Sequence, residues 1–151
     1  MEMGNQQIMI RTRAVIFDKD GRILVQHHSS SASDFYRLPG GGLRFREKAE
    51  DCMVREIREE SGLDTRVDRL LWVRDFLDQF PYHSVELFFL ATVIAGEFTP
   101  NPESEQIELL FITLEDLEKA VFYPETLIPK LKLLRENREW RDENPYIRSA
   151  N

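Results

Sequence analysis

The stretch Gly41–Leu63, GGLRFREKAEDCMVREIREESGL, decides most of what the chain can be. Its second half predicts a helix over 48–61, closed by Gly62 as a C-cap glycine. At 100° per residue, Ala49, Met53, Val54 and Ile57 form an apolar stripe. Glu56, Glu59 and Glu60 share an arc of about 100° beside it, and Arg55 stands four residues before Glu59, a favourable pairing. Like charges at helical spacing cost a few tenths of a kcal/mol per pair even when exposed. Hard divalent cations, Mg²⁺ or Mn²⁺, prefer oxygen ligands and would offset that repulsion. Alone, EIREE reads more often as a solvated face, because glutamate is a good helix former. Upstream, Leu38-Pro39-Gly40-Gly41-Gly42 predicts a loop, since three glycines after a proline suit neither mid-helix nor mid-strand.

Further out, residues 8–17 and 22–27 read as strands. The turn cluster Asp18-Lys19-Asp20-Gly21 between them predicts a hairpin. Residues 29–34 form a polar loop. Two more strands are expected over 66–76 and 84–95, joined by 78–82. A proline-bearing loop follows over 96–105, then a strand over 107–113 and a short helix over 114–120. Pro124 suits the start of a helix running to about Asn137. The polar tail 138–151 has no clear period and packs either on its own domain or on a second subunit, as in a homodimer. Strands and helices that do not alternate regularly indicate an α+β or layered α/β/α domain.

The 151 residues make one domain by length. Asp and Glu outnumber Lys and Arg by 27 to 20, so no broad basic face is available for duplex nucleic acid or an anionic membrane. The longest apolar run, Leu87–Ala95, is nine residues, against the roughly 20 a membrane helix needs. No secretory signal is visible at the N-terminus, and the single cysteine, Cys52, excludes an intrachain disulfide. A cytoplasmic protein is the expectation. Cys52 reads as a buried free thiol, and His27, His28 and His83 as structural.

Gly41, Glu47, Arg55-Glu56-Ile57, Glu59-Glu60 and Gly62-Leu63 stand at the spacings GX5EX7REUXEEXGU, with U aliphatic. The chain therefore resembles the Nudix family, and fits its box at every specified position over 41–63. Leu38-Pro39-Gly40-Gly41 is also typical of that family. Arg46 is a departure, at an unspecified position where many members carry glycine. The resemblance implies an α/β/α sandwich around a mixed sheet, with the box as loop-helix-loop. It implies Mg²⁺-dependent (or Mn²⁺-dependent) hydrolysis of a pyrophosphate bond in a nucleoside diphosphate linked to another moiety, a small-molecule substrate. Alternatives are a dinucleoside polyphosphate, an oxidised nucleoside triphosphate, or sensing of a nucleotide without cleavage. ADP-ribose-type members often place a proline about fifteen residues after the box. Asp78 stands there, with Pro81 three further on, so no subfamily is assigned.

By the same resemblance Glu47, Glu56, Glu59 and Glu60 are metal ligands, and one of the box glutamates acts as base. Arg55 orients the carboxylates. Gly40 and Gly41 let backbone approach the phosphates. Glu105, in the acidic loop 101–108 and six residues before Phe111, is expected to complete the metal site or act as base, with Glu103 and Glu108 as the nearby alternatives. Phe35, Tyr36 and Tyr82, with Phe76 and Phe80, are candidates for stacking on a base.

Overall fold

The computed structural model describes residues 6–77 and 81–148; Asp78 and Phe80 lie outside them. In chain order the elements are β1 (Ile8–Val15), β2 (Ile23–Ser29), β3 (Asp34–Arg37), β4 (Gly40–Gly42), α1 (Ala49–Ser61), β5 (Leu63–Leu77), β6 (His83–Gly96), β7 (Ile107–Ile112), α2 (Leu114–Glu118), β8 (Phe122–Tyr123), α3 (Ile128–Glu136) and β9 (Tyr146–Ile147). A single 3₁₀ turn, Glu125–Leu127, leads into α3.

The strands make two mixed sheets, ordered β4-β1-β6-β5-β9 and β7-β2-β3-β8. Strand alternation divides the core. Successive residues point to opposite faces, so Ala14 and Ile16 pack under α1 with Met53, Ile57 and Phe89. Val15 and Phe88 face the other way, onto Leu114, Leu117, Leu131 and Leu134 of α2 and α3. Helices thus cover opposite faces, the expected α/β/α layering, with the mixed sheet in two pieces. No helix among the described residues is long and apolar enough to cross a membrane.

Three expectations need correction. First, β1 and β2 do not form a hairpin. The turn closes, with Asp18 N donating to Arg22 O at 2.8 Å, but beyond the Phe17–Ile23 bridge the strands part into different sheets. β1 instead runs parallel to β6 over eight residues. Both strands carry apolar residues on both faces, which suits two buried sheets better than one half-exposed ribbon. Second, the glycine triplet is a strand, β4, antiparallel to β1 with Gly40 opposite Arg13 and Gly41 opposite Thr12. It is short, and Gly40 has φ +152. Third, Pro124 precedes the 3₁₀ turn, and the α-helix begins only at Ile128, with Pro129 in its first turn.

The tail packs on its own domain. β9 pairs in parallel with β5, Trp72 Nε1 donates to Asp142 at 3.1 Å, and Tyr146 OH donates to Asp75.

Candidate functional site

α1 begins after a backbone path that the sequence made doubtful. Arg46 adopts φ +66, the left-handed conformation in which glycine is at ease, so the loop keeps the turn despite its side chain. The helix then presents its carboxylates beside β4. A carbon added at Gly41 would fall 2.3 Å from Glu56 Cδ, so only glycine leaves room for this side chain.

The structure brings three carboxylates together. Oxygens of Glu56, Glu60 and Glu103 lie within 4.8 Å of one another. Glu56 and Glu60 are buried and Glu103 is exposed. Glu60 Oε1 accepts from Gln26 Nε2 at 3.1 Å, while its buried Oε2 has no partner. Burial, with Glu56 and Glu103 nearby, pushes the Glu60 carboxyl up to about 8. A buried oxygen left unpaired beside two further carboxylates is costly unless a cation takes it up. This donor set fits a hard divalent ion.

Glu47 and Glu59 are not in the cluster. Both oxygens of Glu47 are held by Arg55, from Nε at 2.7 Å and Nη2 at 2.9 Å, which brings its carboxyl down to about 2. Glu59 is half exposed and meets Arg55 Nη1 at 3.3 Å. Arg55 also donates to Glu56 Oε1 at 2.9 Å and to Gly42 O at 3.3 Å. One guanidinium thus ties three box carboxylates to β4. Lysine keeps the charge but not this fork. Arg55→Lys is expected to lower kcat about ten- to hundredfold with little change in thermal midpoint, checked by steady-state kinetics and a melting scan.

Of the acidic-loop glutamates, Glu103, the alternative to Glu105, is the one that lies in the cluster. Backbone bonds from Thr99 N to Ser61 O (2.8 Å) and from Asn101 N to Glu60 O (2.7 Å) fasten the acidic loop to the end of α1. That anchorage sets Glu103 against the cluster and leaves Glu105 exposed on the loop outside it. At saturating Mg²⁺, Glu103→Gln should cut kcat more than about tenfold and Glu105→Gln less than about threefold. Kinetics on both variants check this, and the opposite order would reinstate Glu105.

Two residues that border the carboxylate cluster carry no motif. Gln26, buried on β2, donates to Glu60 and accepts from Arg37 Nε at 2.9 Å and His28 Nε2 at 3.2 Å. Arg37, on β3, lines a narrow cleft of about 70 Å³ beside Arg11, Gly41, Glu60 and Glu103. Burial and the nearby Arg13 and Arg11 lower its guanidinium to about 10, so it stays charged at neutral pH. Gln26 is a polar residue within an otherwise apolar strand, a weak signal, and Arg37, just before the glycine triplet, offered none.

The aromatic candidates divide. Phe35 stacks on His28 (centroids 4.8 Å apart) and, with Phe76, lines a larger cavity of about 350 Å³ that shares Arg37 with the cleft. Tyr36 stacks on His27 at 4.2 Å. Tyr82 is exposed and lines a different hollow, with Leu77 and His83. Cys52 is buried and free, with Sγ 3.4 Å from Gly42 O.

A glycine-backed helix carrying clustered carboxylates, tied by one arginine and closed by an acidic loop, forms an acidic site whose oxygen donors could hold a divalent ion. The NUDIX domain family model matches residues 8–131. An ADP-ribose pyrophosphatase of Methanocaldococcus jannaschii is 34% identical over 115 residues, which are 75% of this chain and 67% of that protein. The YjhB protein of Bacillus subtilis is 28% identical over 123 residues; the match takes in 79% of this chain but only 51% of that protein. The crystal structure of an ADP-ribose pyrophosphatase from Streptococcus suis is similar at 28% identity with a TM-score of 0.66, covering 93% of this chain and all (100%) of the other. The chain belongs to the Nudix family of hydrolases.

Proposed function

We propose that the chain hydrolyses the pyrophosphate bond of a nucleoside diphosphate linked to another moiety, ADP-ribose, a nucleotide sugar or a nucleoside triphosphate among them. The observation that carries this is the convergence of Glu56, Glu60 and Glu103 beside a cleft walled by Arg11, Arg37 and the β4 glycines. Glu56, Glu60 and Glu103 would hold Mg²⁺ or Mn²⁺. A bound divalent ion neutralises phosphate oxygens and lowers the pKa of water. Arg11 and Arg37 bind the phosphates and fix their position in the cleft. Glu103, the exposed member, takes the proton of the attacking water. Arg55, Glu47 and Glu59 act by holding Glu56 in place. Phe35 serves the rest of the substrate; Tyr82, in its separate hollow, does not.

The sheets and their helices act as one catalytic domain. Free Cys52 and the acidic composition support a cytoplasmic enzyme of small molecules rather than of duplex nucleic acid. The test is a panel of nucleoside diphosphate derivatives incubated with Mg²⁺ or Mn²⁺, with products separated by chromatography. Release of a nucleoside monophosphate from at least one member is expected. No turnover of any member would replace hydrolysis by nucleotide sensing.

A further inference from the structure

The cavity next to the cleft has a floor that hydrolysis alone does not require. Glu86, buried on β6, accepts from Arg13 Nε at 2.8 Å on one oxygen and from Arg74 Nη1 at 3.1 Å on the other. Arg13 and Arg74 are buried as well. One carboxylate therefore brackets two guanidinium groups, one on each oxygen. Arg74 lies over the Phe76 ring at 4.5 Å, and its Nε has no hydrogen-bond partner. Phe35 and Tyr123, tilted 58° to each other with centroids 5.7 Å apart, stand among the walls.

The volume, about 350 Å³, is at the lower end for ligand pockets and suits half of a dinucleotide-sized substrate. Aromatic walls suit a flat ring. The floor is rich in donors, because guanidinium offers five N–H groups and no acceptor, while both Glu86 oxygens are already engaged. Arginine pairs with the O6/N7 edge of guanine, whereas adenine calls for asparagine or glutamine at its N6/N7 edge. An N6 amino group turned to the guanidinium edges would meet donors, and would have to compete with Arg13 and Arg74 for the Glu86 oxygens. Arg37 supplies continuity, lining both the cavity and the phosphate cleft.

We propose that the Arg13–Glu86–Arg74 bracket is a base-reading floor that selects a nucleobase with a carbonyl acceptor edge, guanine or uracil, over adenine. The proposal rests on the nucleotide reading of the neighbouring cleft, and deepens it by naming the base. Arg74 is the reader and Glu86 a positioning residue that holds it.

Binding of GMP, UMP and AMP to the full chain in EDTA, measured by calorimetry, tests the floor without turnover. GMP is expected to bind at least about tenfold tighter than AMP, in line with one good bidentate contact to O6/N7, and UMP, which offers single carbonyl acceptors, also tighter than AMP but less so than GMP. Arg74→Lys retains a charge for Glu86 but loses the planar fork, and should shrink the preference to within threefold while the protein melts normally. Arg74→Met is the second variant, with the same expectation for base preference. AMP binding as tightly as GMP and UMP, or a preference untouched in both variants, overturns the proposal. In parallel, kcat/KM is compared on ADP-glucose, GDP-glucose and UDP-glucose with Mg²⁺, which differ only in the base. Base-selective binding with no turnover of any of the three would fault the hydrolytic reading and not the floor. Turnover with no base preference would fault the floor and not the hydrolysis.

Discussion

Glu60→Gln is expected to lose at least about a hundredfold in kcat while its metal-free form melts higher than the wild-type protein at pH 8. The two effects share one cause. Glu60 is buried with one oxygen unpaired, next to Glu56 and Glu103, and its carboxyl is raised from 4.5 to about 8. The folded state therefore keeps the proton over a range in which the unfolded chain has already lost it. That contribution to stability is complete below about pH 4.5 and disappears as pH rises through about 8. Metal-free wild-type protein should thus melt progressively lower between pH 5 and pH 8, by about 5 °C or more if the shift is worth a few kcal/mol. Glutamine carries no charge and escapes the loss, yet still accepts from Gln26. Millimolar Mg²⁺ should raise the wild-type midpoint at pH 8 and leave the variant nearly unmoved, since an ion that binds only the native cluster stabilises by mass action. Melting scans at several pH values, with and without Mg²⁺, check the stability half, and steady-state kinetics the catalytic half. Near-normal turnover by folded Glu60→Gln protein would sink the ligand assignment.

Gly40→Ala should lower the thermal midpoint by about 8 °C or more, the consequence of a loss near 3 kcal/mol in a chain this size. Gly40 has φ +152, which L-residues rarely adopt, and an added carbon would meet Thr12 O at 1.9 Å and Thr12 C at 2.7 Å. Those are backbone atoms of β1 and cannot swing aside. Relief requires β4 to lift from β1, and β4 is what backs Glu56 and accepts from Arg55 through Gly42 O. Activity should therefore fall more than about tenfold at temperatures where the variant remains folded. Gly42→Ala is the internal control: the nearest atom to its added carbon is Met9 Cε at 3.8 Å, so a change under about 1 kcal/mol is expected. Equal midpoints for the two variants, measured in the same buffer, would refute the strand geometry at Gly40.

Arg46 and the glycines show how a family pattern and a fold can differ in residues yet agree in path. Arg46 takes the positive φ that glycine would take more cheaply. The strain is local, and the ion pairs of Arg55 and the β4 ladder hold the loop around it.

The sequence by itself determined whatever depends on short-range periodicity. Glu56 and Glu60 fall on one helix face because four residues make just over one turn, and no distant contact is needed to know it. The apolar stripe, the Gly62 cap and the long strands β5 and β6 follow from the same local rules. Tertiary structure decided what depends on where a loop or an edge is pinned. Spacing before Phe111 favoured Glu105, but the bonds from Thr99 and Asn101 to the end of α1 place Glu103 at the carboxylates. A turn signal at Asp18–Gly21 predicted a hairpin, but pairing energy went to β6 and β7 instead, because the halves of β1 and β2 nearest the turn are buried on both faces. Gln26 and Glu86 are polar residues within apolar strands and Arg37 stands just before the glycine triplet, so none of the three carries a motif. Only the stacking of two sheets turns them inward, where an unpaired polar group is costly and each had to find its partner.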